Sequence, residues 1–215
     1  MITSNTTILS LVVQFIQKIR FLHFQFEAQL LSGRKIKDEN DALEAMKVLH
    51  DKGVKIVILS STDFSDSGES ITLASRKLEN GTFEKARIVY PTLPVHFVGT
   101  GDLFTALTTA WLQHGDFHVA SALEKTIATM QTVLQRTLAF AKEKAKGSNP
   151  SPGQLELKLI QSREDILKPE VGIKATKIAW NFIAFYQIES SMNLPFMLTY
   201  QTMQIFYICK YIVDL

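Results

Sequence analysis

The sequence has one cysteine, little excess charge and no long apolar run. Cys209 is the only cysteine among 215 residues, which excludes an internal disulfide framework and a zinc site built from several cysteines. The 23 Lys and Arg residues nearly balance the 21 Asp and Glu residues. Since no basic block exceeds a few residues, nucleic acid is not an expected partner. A single cysteine fits a reducing compartment, and we expect a cytoplasmic protein.

The two ends of the chain differ from its middle. Residues 1–23 lack the charged start and cleavage site of a signal peptide, and their apolar pattern, which includes Ile19 and Arg20, predicts an amphipathic helix. From Ile178 onwards the segment is rich in aromatic residues, and either a docked hydrophobic hairpin or a poorly folded extension fits it. No apolar run is long enough for a transmembrane helix, so a membrane role is not expected.

A glycine turn that leads into an apolar helix pattern is the most informative stretch. It reads Val-Gly-Thr-Gly-Asp-Leu-Phe from Val98. Gly99 and Gly101 lack a Cβ, so the backbone can adopt positive φ and bring its N–H groups close to an anion. The start of a helix favours phosphate. Asp102 can then either cap the helix or accept a proton from a hydroxyl that attacks a phosphoryl group.

The middle of the chain alternates helix and strand patterns, which predicts an α/β fold. One helix is predicted within 24–35 and ends at Gly33. A second follows a cap at Asp38 or Asn40, and a third covers 118–146. Strands are predicted at 54–59, buried and parallel, in a hairpin around Asn80-Gly81, and at 95–98 and 155–160. Ser60 and Ser61 begin a hydroxyl-rich segment after the first strand, which is either a ligand-binding loop or a polar turn.

Several separated segments together resemble the pyridoxal kinase family of the ribokinase-like superfamily. These segments are FEAQLLSGRKI from Phe26, IVILSS from Ile56, FVGTGDLF from Phe97, EKTIATMQTVLQRT from Glu124 and PSPGQLELKLIQSREDI from Pro150. The resemblance implies a partial ribokinase-like fold, made of the C-terminal part of the central sheet with flanking helices. It divides the chain into an apolar extension (1–23), an ATP-side portion (24–176) and an aromatic tail (177–215).

The resemblance also implies a reaction, which is ATP-dependent phosphorylation of the 5′-hydroxyl of a vitamin B6 vitamer with Mg²⁺. By resemblance, the phosphates bind at Gly99, Thr100 and Gly101, and Asp102 is the base. Ser60 and Ser61 approach the nucleotide, Leu93 lines its adenine side, and Glu27 helps to hold the metal. Similar kinases are dimers, so a homodimer is a candidate assembly.

Two departures from the family pattern lead to a second hypothesis. The family motif Asn-x-x-Glu keeps its acid as Glu27 here, while Phe24 occupies the Asn position. Nothing before Phe24 resembles the family's long N-terminal half, which carries the lid and the vitamin-binding residues. The alternative is therefore a truncated, catalytically inactive homologue that binds nucleotide weakly or acts as an interaction partner through an exposed sheet.

Overall fold

The structure is a computed structural model in which residues 19–22, 25–62 and 68–178 are described. Most of the helix predicted within residues 1–23 and the aromatic segment after Ile178 lie outside this part of the chain. Helices and strands carry numbers in chain order.

The described strands form one sheet in which they are ordered as in the sequence. They are β1 (Ile19–Leu22), β2 (Ile56–Thr62), β3 (Glu69–Lys77), β4 (Phe83–Pro91) and β5 (Thr176–Lys177). Strand β1 runs parallel to β2, and the other neighbours pair antiparallel. The buried strand predicted at 54–59 is thus confirmed, but its parallel pairing holds only towards β1. The hairpin around Asn80-Gly81 is confirmed as β3 and β4.

One face of the sheet is covered by helix α1 (Gln25–Ser32) and helix α2 (Glu39–Asp51). Of the two predicted caps, Asp38 begins α2, because its carboxylate accepts a hydrogen bond of 2.9 Å from the N–H of Asp41. Small and apolar side chains of the helices and of the sheet form a buried core at this face. They include Ala28, Ala42, Ala45, Met46 and Leu49 from the helices and Val57, Leu59 and Leu73 from the strands. By contrast, Leu30 and Leu31 of α1 remain 72% and 37% exposed.

The opposite face is covered by helix α3 (Thr100–His114) and helix α4 (Val119–Ala145). The predicted helix over 118–146 is therefore confirmed almost to the residue. The core between these helices and the sheet includes Ile56, Ile58, Ala74, Ala86, Ile88, Phe104, Leu107, Leu112, Leu123 and Ile127. Each fully buried Leu or Ile side chain contributes about 1.5–3 kcal/mol to folding. The resulting three layers, helix on sheet on helix, confirm the α/β class.

Three sequence predictions about strands and helices are wrong. Ile19 and Arg20 lie in β1 rather than in an amphipathic helix. A short apolar run fits both the helical and the strand periodicity, and here pairing with β2 determines that it is a strand. Residues 95–98 form no strand, and only Val98 makes an isolated parallel bridge, to Glu156. Residues 155–160 are likewise not a strand.

The segment after α4 is built from short helical turns packed on that helix. Two 3₁₀ turns (Pro152–Leu155 and Ile160–Ser162) precede the short helix α5 (Arg163–Leu167). Arg136 of α4 donates hydrogen bonds of 2.6 Å to the hydroxyl of Ser162 and 2.5 Å to the carboxylate of Asp165. Side-chain contacts with α4, rather than sheet pairing, therefore hold this segment.

Strands β1, β2 and β4 run in the same direction, so their carboxyl ends lie at one edge of the sheet. Helix α3 ends near the opposite edge, where the guanidinium of Arg76 donates a 3.0 Å hydrogen bond to the carbonyl of Asp116. Its first turn points towards the carboxyl-end edge, and Leu103 and Tyr90 pack against the same core there. Ligands of open α/β sheets bind at such an edge.

Candidate functional site

Helix α3 has Gly99 as its N-cap residue, and no side chain forms a capping hydrogen bond. Gly99 has φ 86° and ψ 10°. A Cβ at Gly99 would lie 3.9 Å from the Leu157 side chain, so the left-handed backbone rather than lack of space requires glycine. The N–H groups of the first turn have no acceptor within the helix. They form, with the helix dipole, a site suited to an anion.

Asp102 is the third residue of α3, and its side chain is exposed. Within the part of the chain that the structure describes, its carboxylate has no hydrogen-bond or ion-pair partner. The capping role that the sequence left open is therefore not what this geometry shows. A carboxylate at this point is accessible to a ligand that binds at the first turn.

Ser60 and Ser61 lie within strand β2 and not in a loop after it, so the predicted loop boundary is wrong. The pairing of β2 with β3 passes from Leu59 opposite Leu73 to Thr62 opposite Ile71. Three steps along β2 thus match two along β3, which is a β-bulge at the two serines. The strand continues because the bulge absorbs the extra residue.

The backbone carbonyl of Ser60 accepts hydrogen bonds from two hydroxyl groups, one on β3 and one on β4. The Thr72 hydroxyl donates a 2.6 Å hydrogen bond to this oxygen, and the Tyr90 phenol donates one of 3.0 Å. Burial raises the pKa of Tyr90 above its ordinary value of 10.0, while the neighbouring side chains of Thr72 and Ser70 act in the opposite direction. The phenol is therefore protonated at neutral pH and can donate.

Leu93 follows β4 at the same edge of the sheet and is partly buried. Its carbonyl accepts a 2.8 Å hydrogen bond from the N–H of Val95, which makes a tight turn beside Pro94. The chain then reaches Val98, whose bridge to Glu156 places the glycine turn beside the segment after α4.

Glu27 lies in the first turn of α1, which follows the carboxyl end of β1. The backbone thus places Glu27 at the same edge as the end of β2, while its side chain lies outside the described part of the chain. Over the described residues, no three or more His, Cys, Asp and Glu side chains are grouped to hold a metal ion. A metal role for Glu27 remains a prediction.

The structure brings the predicted site residues to one edge of the sheet from four separate elements. They come from the start of α1 (Glu27), the end of β2 (Ser60 and Ser61), the turn after β4 (Leu93) and the start of α3 (Gly99, Thr100, Gly101 and Asp102). Their roles are not tested by this placement. Sequence reasoning missed Thr72 and Tyr90, because no pattern of residue types predicts that their hydroxyls would bind the Ser60 carbonyl.

This combination of fold and turn agrees with comparisons to known proteins. The sequence pattern of the pfkB family of carbohydrate kinases matches residues 24–145. The chain belongs to this family, and its resemblance to pyridoxal kinases and the ribokinase-like fold are confirmed. Within the described residues, no helix combines the length and the apolar character that crossing a membrane requires.

The relatives that this chain resembles include several pyridoxal kinases. The chain is 42% identical to human pyridoxal kinase over 160 residues, which are 71% of this chain and 51% of the human protein. It is 37% identical to the pyridoxal kinase of Arabidopsis thaliana over 154 residues, 71% of this chain and 48% of that protein. This chain therefore spans about half the length of the curated relatives it matches.

A solved structure has the same fold. Pyridoxal kinase from Leishmania donovani, in complex with ADP and pyridoxine, superposes with a TM-score of 0.64 at 24% identity. The match covers 75% of this chain and 52% of the Leishmania chain. At this identity the likeness supports the fold alone.

Proposed function

We propose that the chain carries the phosphate-binding part of an ATP-dependent kinase for vitamin B6 vitamers, with pyridoxal, pyridoxine or pyridoxamine as the acceptor. The observation that carries the proposal is the uncapped start of α3, where a left-handed Gly99 precedes an exposed Asp102. Similarity to pyridoxal kinases from animals and a plant supports the choice of acceptor. The nucleotide proposal is also supported by the relative solved with ADP.

In the proposed reaction, the N–H groups at Gly99, Thr100 and Gly101 bind phosphate oxygens of ATP. Asp102 accepts the proton of the 5′-hydroxyl as that oxygen bonds to the γ-phosphorus. The bond from the γ-phosphorus to the bridging oxygen breaks, and ADP leaves with that electron pair. Charge stabilisation and positioning supply most of the catalysis in such a transfer. Leu93 and the end of β2 lie on the nucleotide side in this proposal.

The residues present are compatible with Mg²⁺, which is usually held in kinases by one or two carboxylates together with substrate phosphates and water. Glu27 lies in the first turn of α1, at the same edge of the sheet as the glycine turn. We propose that Glu27 helps to hold the ion. When bound, Mg²⁺ would neutralise charge that develops on the phosphate oxygens.

A second candidate function is nucleotide binding or partner interaction without catalysis. It is favoured by the exposure of Leu30 (72%) and Leu31 (37%) on α1, the helix whose first turn contains Glu27. Exposed apolar side chains of this size are candidates for contact with another chain. Homodimer formation and a cytoplasmic location, both expected from the sequence, remain proposals alongside either function.

The experiment that separates these candidates measures pyridoxal 5′-phosphate formation by the purified chain with ATP and Mg²⁺, together with the affinity for ATP. The kinase proposal predicts product formation that stops when a chelator removes Mg²⁺. ATP binding without product, in a chain that unfolds cooperatively, would support the second function. Cooperative unfolding without ATP binding would contradict both nucleotide proposals.

A further inference from the structure

The bulge in β2 is defined by the pairing of this strand with β3. Because Ser60 and Ser61 together oppose Thr72, the residues after them pair one position later than a regular ladder would place them. In a regular ladder Ser61 would face Ile71, whereas here Thr62 does. The Thr62 hydroxyl donates a 3.2 Å hydrogen bond to the Ile71 carbonyl, which fixes the shifted register beyond the bulge.

The Ser60 carbonyl is bound by side chains from β3 and β4. A carbonyl oxygen has two lone pairs, and the hydroxyls of Thr72 and Tyr90 each donate one hydrogen bond to it. The two hydroxyl oxygens lie 3.2 Å apart, so the three groups form one compact cluster. Thr72 is fully buried and Ser60 is 8% exposed. In such a place the loss of either donor is not readily compensated by water.

The same cluster connects the bulge to the start of α3. Tyr90 packs against the core between the sheet and helices α3 and α4, as does Leu103, which follows Asp102 directly. The next residue, Pro91, is also fixed, because the Gln131 side chain of α4 donates a 3.0 Å hydrogen bond to its carbonyl. The bulge and the glycine turn are thus both packed against the same hydrophobic core.

We propose that Thr72 and Tyr90 are positioning residues, whose hydroxyls hold the Ser60–Ser61 bulge in the shape that presents the end of β2 to a nucleotide bound at the first turn of α3. Neither residue needs to touch the nucleotide. The inference rests on the proposed nucleotide site. β-Bulges next to binding sites commonly redirect backbone and side chains in this way.

The test compares variants that remove or retain one hydroxyl. Tyr90→Phe and Thr72→Val each remove a donor with little change of volume, and Thr72→Ser retains it. Ser75→Ala is the matched control, because it removes a buried hydroxyl from the same strand that bonds to His50 instead. ADP affinity and thermal unfolding are measured for each, with amide hydrogen exchange of the peptide that spans Ile58 to Thr62.

Positioning predicts that Tyr90→Phe and Thr72→Val weaken ADP binding about three- to ten-fold, as loss of one buried hydrogen bond would. In these two variants amide hydrogen exchange at the bulge should become faster. Thr72→Ser, which keeps the hydroxyl, should keep the ADP affinity and the exchange rate of the unmodified chain. Ser75→Ala should leave both unchanged even if it lowers the melting temperature equally.

Unchanged ADP affinity in the two hydroxyl-removing variants would overturn the inference. So would a loss of ADP affinity that Ser75→Ala shows equally at the same decrease in melting temperature. If the unmodified chain binds no ADP, the proposed nucleotide site fails and the positioning role fails with it. Faster exchange at the bulge in the two variants would then still establish that the hydroxyls hold its shape.

Discussion

The Nε2 atom of His50 lies 2.9 Å from the hydroxyl oxygen of Ser75. On its other side the ring places Nδ1 2.7 Å from the carbonyl of Val54, which can only accept a hydrogen bond. Nδ1 therefore carries the proton, and Nε2 accepts from Ser75. The neutral ring, 2% exposed, joins the end of α2 to β3 and to Val54, which precedes β2.

The burial of His50 predicts that acid destabilises the fold. Burial lowers its pKa below the ordinary value of 6.5, as do Lys77 and Lys85, while the bond to Val54 and the charge of Asp51 oppose this shift. As pH falls through 6.5, the unfolded chain takes up a proton that the folded chain resists. The stability contribution is thus present above that pH and is lost towards the folded-state pKa. Urea unfolding midpoints measured at about pH 7.5 and 5.5 should show the decrease.

Two variants assign this pH dependence to one residue. His50→Gln should lower the free energy of unfolding at neutral pH by about 1–3 kcal/mol, because a buried hydrogen-bonding ring is lost, and should flatten the pH dependence. His114→Gln removes an exposed histidine and serves as the control. An equally steep pH dependence in His50→Gln would show that another group is responsible.

Replacing the two glycines of the glycine turn with alanine should have different effects on stability. Gly99 has φ 86°, so Gly99→Ala should destabilise the chain by about 1–2 kcal/mol. Gly101 lies inside α3 and does not have positive φ, so Gly101→Ala should not destabilise the fold and can stabilise it by up to about 1 kcal/mol. Its new methyl group should nevertheless weaken ADP binding, since phosphate would approach that backbone closely. Urea unfolding and ADP titration measure both effects, and unchanged binding in Gly101→Ala would argue against the close approach.

Glu27 should matter only when the metal is present. If its carboxylate helps to hold Mg²⁺, Glu27→Gln should weaken ATP binding in Mg²⁺ about ten-fold or more, with little effect in a chelator. Glu143→Gln changes an exposed acid on α4 and should leave both affinities unchanged. Equal weakening with and without Mg²⁺ would contradict a metal role.

The sequence predicted best those elements whose signals are local. The Asn80-Gly81 turn defined its hairpin, and His118 and Lys146 bounded α4 as predicted. The residues 95–98 and 155–160 were wrongly predicted as strands, because apolar patterning does not show whether a partner strand is available. Val98 and Glu156 meet in only an isolated bridge.

The glycine turn of the candidate site was predictable from the sequence, but the β-bulge beside it was not. The glycine turn could be located from Gly99 and Asp102, since residue type and helical spacing determine an anion-binding helix start. The bulge at Ser60 could not, because it depends on hydrogen bonds from Thr72 and Tyr90, which lie 12 and 30 residues away in the sequence.

Asp102→Asn tests the central claim most directly, because it removes the proposed base with almost no change in shape. The measurement is the rate of pyridoxal 5′-phosphate formation together with the affinity for ATP, and Asp116→Asn, an exposed acid beyond the other end of α3, is the control. We predict that Asp102→Asn lowers the rate at least about 100-fold while ATP affinity stays within about three-fold. A rate that survives the substitution would contradict the account, as would a fall in rate explained wholly by lost ATP binding.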